Sequence, residues 1–197
     1  AGTGAMVIND LFGNVSHAGI GLTFGLSVMV VIYSIASISG AHINPAVSIA
    51  FYLAKRFDGK ELFPYILFQL TGAFLASISL KLMFPASEFL GATLPAGSWE
   101  QTFILEFILT FILMYVILNV SEGSKETGVM TGAIVGAVVA FEAIFAGPVS
   151  GASMNPARSI APAVISGNLD HLWVYVVATT LGAVFSILIY RLTKASS

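Results

Sequence analysis

The chain has 197 residues, of which 57% are hydrophobic and 9% are charged, and its mean hydropathy is +0.93. This composition excludes a soluble globular protein and indicates a membrane protein. The formal charge of -2 provides no basic surface, so nucleic acid is not an expected partner. The absence of cysteine excludes disulfides and thiolate chemistry, and the three scattered histidines predict neither a metal site nor another cofactor.

Five apolar segments are long enough to cross a membrane, which requires about 20 residues. Two further segments contain only about ten apolar residues each, too few to span about 30 Å, and predict re-entrant half-helices. Glycines at four-residue spacing predict close helix packing, and they are Gly21 and Gly25 together with Gly128, Gly132 and Gly136. The predicted spans are Ala18 to Ser39, Leu62 to Leu80, Thr102 to Val120, Gly128 to Gly147 and Leu172 to Tyr190, and the half-helices are Pro45 to Ala54 and Pro156 to Ile165.

The basic residues predict an orientation, because cytoplasmic loops retain Lys and Arg. Six of the eight fall on one predicted side of the membrane, and only Lys81 and Arg158 fall on the other. We therefore assign the six to the cytoplasm and treat Arg158 as an exception with its own function. The six are Lys55, Arg56, Lys60, Lys125, Arg191 and Lys194.

An internal repeat relates the two halves of the chain. Residues Ser39 to Phe51 match Ser150 to Pro162 at nine of thirteen positions, with an offset of 111. Each copy, at about 1–84 and 100–194, carries three spans and one half-helix, so the second copy enters the membrane inverted. At the same offset the counterpart of Thr102 to Val120 ends near residue 9, so only the last turns of the first span are expected within this sequence.

Each copy places Asn-Pro-Ala at the start of its half-helix. Asparagine is a strong N-cap and proline is favoured at the first helical position, so Asn44 and Asn155 are expected to cap. Each side-chain NH2 group then remains as an outward donor. Since the copies are inverted, the two half-helix N-termini should meet near the midplane, where their partial positive charges oppose cations. The motif residues are Asn44, Pro45 and Ala46, and Asn155, Pro156 and Ala157.

These motifs, NPAV at Asn44 to Val47 and NPAR at Asn155 to Arg158 with their SGA lead-ins, resemble the aquaporin or major intrinsic protein family over essentially the whole chain. The resemblance implies an all-α membrane fold, a right-handed bundle of six transmembrane helices and two re-entrant half-helices. The first of the six transmembrane helices would then be truncated in this sequence. The chain would then form one channel domain over residues 1–197. It also implies one pore per subunit, assembly as a homotetramer in the lipid bilayer, and location in the plasma membrane.

A guanidinium at membrane depth requires a watery cavity or a partner, so Arg158 is expected to line the pore, with a structural ion pair as the alternative. By resemblance, Arg158 matches the arginine of the family's selectivity filter, and the other filter positions fall on Phe24, Ala143 and Ala152. A strict water channel has histidine at the position of Ala143. The methyl group widens the constriction, as in the nodulin-like plant branch and similar bacterial channels, which pass glycerol.

Other positions give a mixed indication of the solute. Dedicated glycerol channels carry an aspartate at the position of Ser159, and Tyr175 also departs from that subfamily. Val176, where water channels typically have tryptophan, favours the wider class. The resemblance therefore does not select one solute.

Two acidic residues lie inside predicted spans, where a carboxylate needs donors or must be neutral. In the family, the glutamate that matches Glu106 holds the backbone of the half-helix loop, and a proton-carrying role is the alternative. Glu142 could face the subunit interface, a neighbouring loop or the pore mouth.

The sequence thus predicts a passive channel for water and for glycerol or other small neutral solutes, which excludes protons and ions. Solutes would pass in single file between the asparagines and the backbone carbonyl groups of His42, Ile43, Ser153 and Met154. A secondary transporter is the alternative, since transporters also use inverted repeats and broken helices. An intramembrane enzyme is not expected, because no nucleophile motif surrounds Ser150 or Ser153.

Overall fold

The computed structural model describes residues 1–122 and 125–195, and it leaves the side chains of 125–128 undescribed. The described residues fold into helices alone. The prediction for the Lys125 side chain and for packing at Gly128 lies outside the described side chains. The helices are α1 (Gly2–Phe12), α2 (His17–Ser39), α3 (Pro45–Leu53), α4 (Gly59–Met83), α5 (Trp99–Val120), α6 (Lys125–Ser150), α7 (Pro156–Ser166) and α8 (Leu172–Ala195).

Five of these helices are long and apolar enough to cross a membrane, namely α2, α4, α5, α6 and α8. They coincide with the five predicted spans, which are confirmed. Several helices extend beyond the apolar segments because polar residues cap them. Asp58 accepts from the backbone amide of Lys60 and begins α4, while Ser98 accepts from Gln101 and begins α5.

The two short apolar segments are also helical, as predicted. Helix α3 has 9 residues and α7 has 11, and each begins with a proline that follows its asparagine cap. At 1.5 Å per residue neither can cross the membrane alone. Both are therefore half-helices within a bundle of longer ones.

Helix α1 corresponds to the predicted last turns of the first span, and it continues to Phe12 rather than to about residue 9. It ends at Gly13, which adopts the left-handed conformation with a φ of 69° and donates its backbone amide to the carbonyl of Asn9. This glycine is required because an L side chain is strained at that φ.

Two helix pairs make the most extensive contacts in the bundle. Helix α2 of the first copy packs on its counterpart α6, and α5 packs on α8 within the second copy. The α2–α6 contact is close because glycines face each other: a Cβ added to Gly25 would lie 2.3 Å from the carbonyl oxygen of Gly136. This confirms that the glycines at four-residue spacing serve packing.

Basic residues assigned to the cytoplasm meet at one end of the bundle. Arg56, which follows α3, forms an ion pair with Glu122, which follows α5. The Arg56 guanidinium also donates to the carbonyl of Leu118 at 3.1 Å. Arg191, near the end of α8, donates to the carbonyl of Leu53 at 3.2 Å. These contacts tie α3, α5 and α8 together at the end opposite Arg158.

Candidate functional site

The N-termini of the two half-helices meet, and their asparagines bond across the junction. The Asn44 side-chain oxygen accepts from the backbone amide of Ala46 at 2.9 Å, while its amide nitrogen donates to the carbonyl of Met154 at 2.7 Å. Asn155 likewise caps α7, and its amide nitrogen donates to the carbonyl of Ile43 at 2.9 Å. Each asparagine therefore satisfies its own helix and the loop of the opposite copy.

This geometry corrects one detail of the sequence interpretation. Each carboxamide NH2 was expected to point outward as a donor, but one of its two hydrogens is used by the opposite loop. The second hydrogen remains, since a primary amide has two donors. Asn44 and Asn155 both line the same cavity. Each can still offer one hydrogen bond to a solute.

The segments that precede the asparagines have an unusual backbone. Ala41 and Ile43 have positive φ angles of 47° and 45°, and Ala152 and Met154 have 42° and 54°. Left-handed conformations cost about 1 to 2 kcal/mol per L residue, so the surrounding contacts must hold them. The four residues predicted to offer carbonyl groups all line the cavity, namely His42, Ile43, Ser153 and Met154.

A cavity of about 160 Å³ passes the half-helix junction. It is lined by Phe24 and Arg158, by Asn44 and Asn155, and by Ser121, whose hydroxyl oxygen accepts from Arg56 at 3.1 Å. Its remaining lining is largely apolar. A water-sized molecule inside the cavity would therefore meet hydrogen-bonding groups at only a few of the positions along the wall.

Arg158 lies in the first turn of α7, beside the cavity. Its Nη1 donates to the carbonyl of Gly91 at 2.7 Å, its Nη2 lies 2.9 Å from the sulfur of Met6, and its Nε has no partner among the described residues. The guanidinium carbon lies 5.0 Å from the ring centroid of Phe24. The arginine is thus held by a backbone carbonyl and an aromatic face, and the described residues show no carboxylate within ion-pair distance of it.

Phe24 and Arg158 come together, whereas the two small residues predicted beside them lie slightly outside the cavity wall. Ala143 and Ala152 are 7% and 5% exposed and belong to the packed cluster that contacts Phe24. They are not among the residues that line the cavity. A methyl group is too short to reach past the neighbouring side chains into the cavity. The alanines therefore leave space for a solute rather than contact it.

Glu106 is completely buried and receives three hydrogen bonds from the end of α6 and from the loop that precedes α7. Its Oε1 accepts from the hydroxyl of Ser150 at 2.7 Å and from the amide of Ser153 at 2.8 Å, and its Oε2 accepts from the amide of Met154 at 2.9 Å. Such donors compensate a buried carboxylate for its lost hydration. Glu106 thereby anchors the strained loop to α5.

Glu142 requires a correction, because two of the three environments considered for it, the subunit interface and the pore mouth, do not match the structure. Its side chain is 0% exposed, so it does not lie on a surface available to another subunit, and it does not line the cavity. It shares a face of α6 with buried Val138 and Ala146, one turn away on either side, which directs it into the interior. Neither carboxylate oxygen has a partner among the described residues.

The sequence did not identify the segment between α4 and α5, residues 84–98, as part of this site. Its Gly91 supplies the carbonyl that holds Arg158, and its Thr93 hydroxyl donates to Ser159 at 2.7 Å. The segment carries no repeat or motif, and its one indication was a short glycine- and proline-containing stretch between two spans. Met6 on α1 was missed for the same reason.

The comparisons with known proteins agree with this geometry. The family model described as major intrinsic protein matches residues 1–190. Aquaporin NIP1-1 of Zea mays is 45% identical over 196 residues, which cover 98% of this chain and 70% of that protein. Aquaporin NIP1-1 of Oryza sativa subsp. japonica is 44% identical over 196 residues, covering 98% and 69%.

A solved structure is similar over nearly the whole fold. The X-ray structure of the aquaglyceroporin from Plasmodium falciparum superposes with a TM-score of 0.85 and 28% identity, covering 96% of this chain and 88% of that one. The family model and the relatives each extend across both half-helices. With its paired half-helices and crossed asparagines, this chain belongs to the major intrinsic protein family.

Proposed function

We propose that this protein is a passive membrane channel for water and small neutral solutes, glycerol among them, and that it excludes protons and other ions. The observation that carries the proposal is the junction where the amides of Asn44 and Asn155 line one cavity. Two helix N-termini meet there, each with about half a positive charge. Their field favours the oxygen atom of a neutral solute and opposes a cation.

The remaining amide hydrogens support conduction in single file. A water molecule at the junction can accept from Asn44 or Asn155 and donate to a carbonyl on either side. The apolar wall offers it few other partners. A molecule so oriented cannot form an unbroken hydrogen-bonded chain through the junction, which opposes proton transfer.

We further propose that Phe24, Ala143, Ala152 and Arg158 form the selectivity filter. Arg158 supplies the charge and the donors, Phe24 supplies an apolar face, and the two alanines leave room for a solute wider than water. The names of the relatives, aquaporins and an aquaglyceroporin, support both water and glycerol as solutes. Ser159 and Tyr175 distinguish the chain from dedicated glycerol channels.

The assembly we propose is a homotetramer in the plasma membrane, with one pore in each subunit. Large apolar side chains on the outer faces of α2 and α4 provide a surface for lipid and for neighbouring subunits. Examples are Leu26 and Val30 on α2, and Phe63 and Phe68 on α4, which are 53% to 76% exposed.

Flux into proteoliposomes tests the proposal. Osmotic shrinkage in stopped-flow light scattering should be faster than in protein-free vesicles, with water and with glycerol as the permeant. Ile32 lines the cavity, whereas Ile38 on the same helix is 81% exposed. Ile32→Trp should therefore block both fluxes while Ile38→Trp leaves them unchanged. A steep dependence of flux on a proton or sodium gradient would instead indicate a secondary transporter.

A further inference from the structure

The segment between α4 and α5, residues 84–98, enters the bundle instead of remaining at its surface. Leu90 is 0% exposed and Thr93 is 4% exposed. The backbone amide of Ala96 donates to the carbonyl of Val149 at 3.0 Å, which joins the segment to the end of α6. The segment is therefore packed against the loop that carries the second asparagine.

A chain of three buried hydroxyl groups links this segment to the asparagine. The Thr93 hydroxyl donates to Ser159 at 2.7 Å, the hydroxyl oxygens of Ser159 and Ser153 are 2.6 Å apart, and Ser153 donates to the carbonyl of Asn155 at 2.9 Å. A hydroxyl has one hydrogen to donate. Since Ser153 uses its hydrogen on Asn155, Ser159 must donate to Ser153, and the whole chain runs from Thr93 to Asn155.

The same segment also holds Arg158, through Gly91, which lies two residues before Thr93. The Gly91 carbonyl accepts from Arg158 at 2.7 Å. A Cβ added to Gly91 would lie 3.0 Å from the carbonyl oxygen of Thr3, and its φ is 72°, so the backbone there has little freedom on that side. The Thr93 methyl group packs closely on the loop before α7, because a Cβ added to Gly151 would lie 3.0 Å from it.

We propose that Thr93 is a positioning residue for the constriction. The bond from its hydroxyl to Ser159 fixes the position of the Gly91 carbonyl relative to α7. The Gly91 carbonyl in turn fixes the guanidinium of Arg158. This inference rests on the proposed function, because it assigns to Thr93 the placement of the proposed filter arginine. Without the Thr93 hydroxyl, Arg158 retains its charge, but its partner, the Gly91 carbonyl, is no longer held in place. The opening beside Phe24 then becomes wider and less defined.

The test compares glycerol and water permeabilities of Thr93→Val, which keeps the methyl packing and removes the hydroxyl. We expect the glycerol-to-water permeability ratio to rise about threefold, toward the lower end of the range expected for one lost hydrogen bond. Thr93→Ser retains the hydroxyl and should keep the wild-type ratio. Thr71→Val is the matched control, since the exposed Thr71 hydroxyl donates to the carbonyl of Leu67 in its own helix turn at 2.8 Å.

A second substitution separates positioning from a general loss of structure. In an Arg158→Ala background, Thr93→Val should leave the ratio unchanged, because the group that Thr93 positions is gone. If Thr93→Val does not fold, Ser159→Ala removes the next hydroxyl and should give the same rise. Wild-type flux with an unchanged ratio in both variants would overturn this inference alone, whereas a wild-type protein without flux would overturn the proposed function and the inference together.

Discussion

The side-chain amide of Asn44 donates to the carbonyl oxygen of Met154 at 2.7 Å, across a separation of 110 residues. Asn155 makes the reciprocal bond to Ile43. The centre of the cavity is therefore built from both repeats at once, and each asparagine performs two tasks, as a helix cap and as a link to the opposite loop.

Asn44→Asp separates these two tasks. Aspartate still caps α3 but cannot donate to Met154, and it places a negative charge where two helix N-termini meet. Losing one hydrogen bond should reduce water permeability about fivefold, and the added charge should increase proton entry. Stopped-flow scattering and an internal pH dye measure the two effects. Asn14→Asp, at an exposed position, should change neither.

Arg158→Ala should increase the leak of small cations into vesicles, because a fixed positive charge is removed beside Phe24. Arg158→Lys should keep most of the exclusion but alter glycerol flux, since an ammonium cannot reproduce the planar guanidinium fork that meets Gly91. Ion-sensitive dyes and light scattering give the two measurements. An unchanged cation leak in Arg158→Ala would remove this residue from the filter.

Ala143→His should reduce glycerol flux more than water flux. An imidazole is large enough to reach from the packed cluster toward Phe24, and it narrows the opening that the methyl group leaves. The matched control is Ala137→His, at an exposed position on the same helix. Equal loss of both fluxes would contradict the placement of Ala143 in the filter.

Glu106→Gln should destabilise the fold. The amide oxygen can replace one carboxylate oxygen, but its NH2 group then faces a backbone N–H donor of Ser153 or Met154. Leaving such a buried donor unsatisfied costs about 1 to 3 kcal/mol. Thermal unfolding in detergent should show the loss, whereas Glu100→Gln, on the exposed first turn of α5, should leave the melting temperature unchanged.

Glu142→Leu should have the opposite effect. The carboxyl group of Glu142 is buried without a partner among the described residues, so an apolar side chain of similar size removes a desolvation penalty of about 1 to 3 kcal/mol. We expect a higher melting temperature and unchanged water permeability. A loss of permeability would show that Glu142 contributes to conduction although it does not line the cavity.

The spans and half-helices could be predicted because the thickness of the membrane sets how many apolar residues a spanning helix needs. The N-caps of the half-helices could also be predicted, since Asn-Pro favours a helix start. The direction of Glu142 could not be predicted, because α6 is apolar around its whole circumference and no periodic pattern distinguishes lipid from interior.

The partner of Arg158 could not be predicted for a different reason. Gly91 contributes a backbone carbonyl, which every residue possesses, so no residue type marks the position. The contact depends on how residues 84–98 fold back onto α7 and the end of α6. Only the three-dimensional arrangement reveals that Thr93 and Gly91 bond two adjacent residues of α7, Ser159 and Arg158.

The reciprocal asparagine bonds also constrain biogenesis. Ile43 emerges from the ribosome well before its donor, Asn155, which lies 112 residues later. The first re-entrant loop must therefore wait in the translocon or the lipid with that bond unmade. The central part of the cavity is therefore completed late in synthesis. A chain that terminates after the first copy forms no part of the channel.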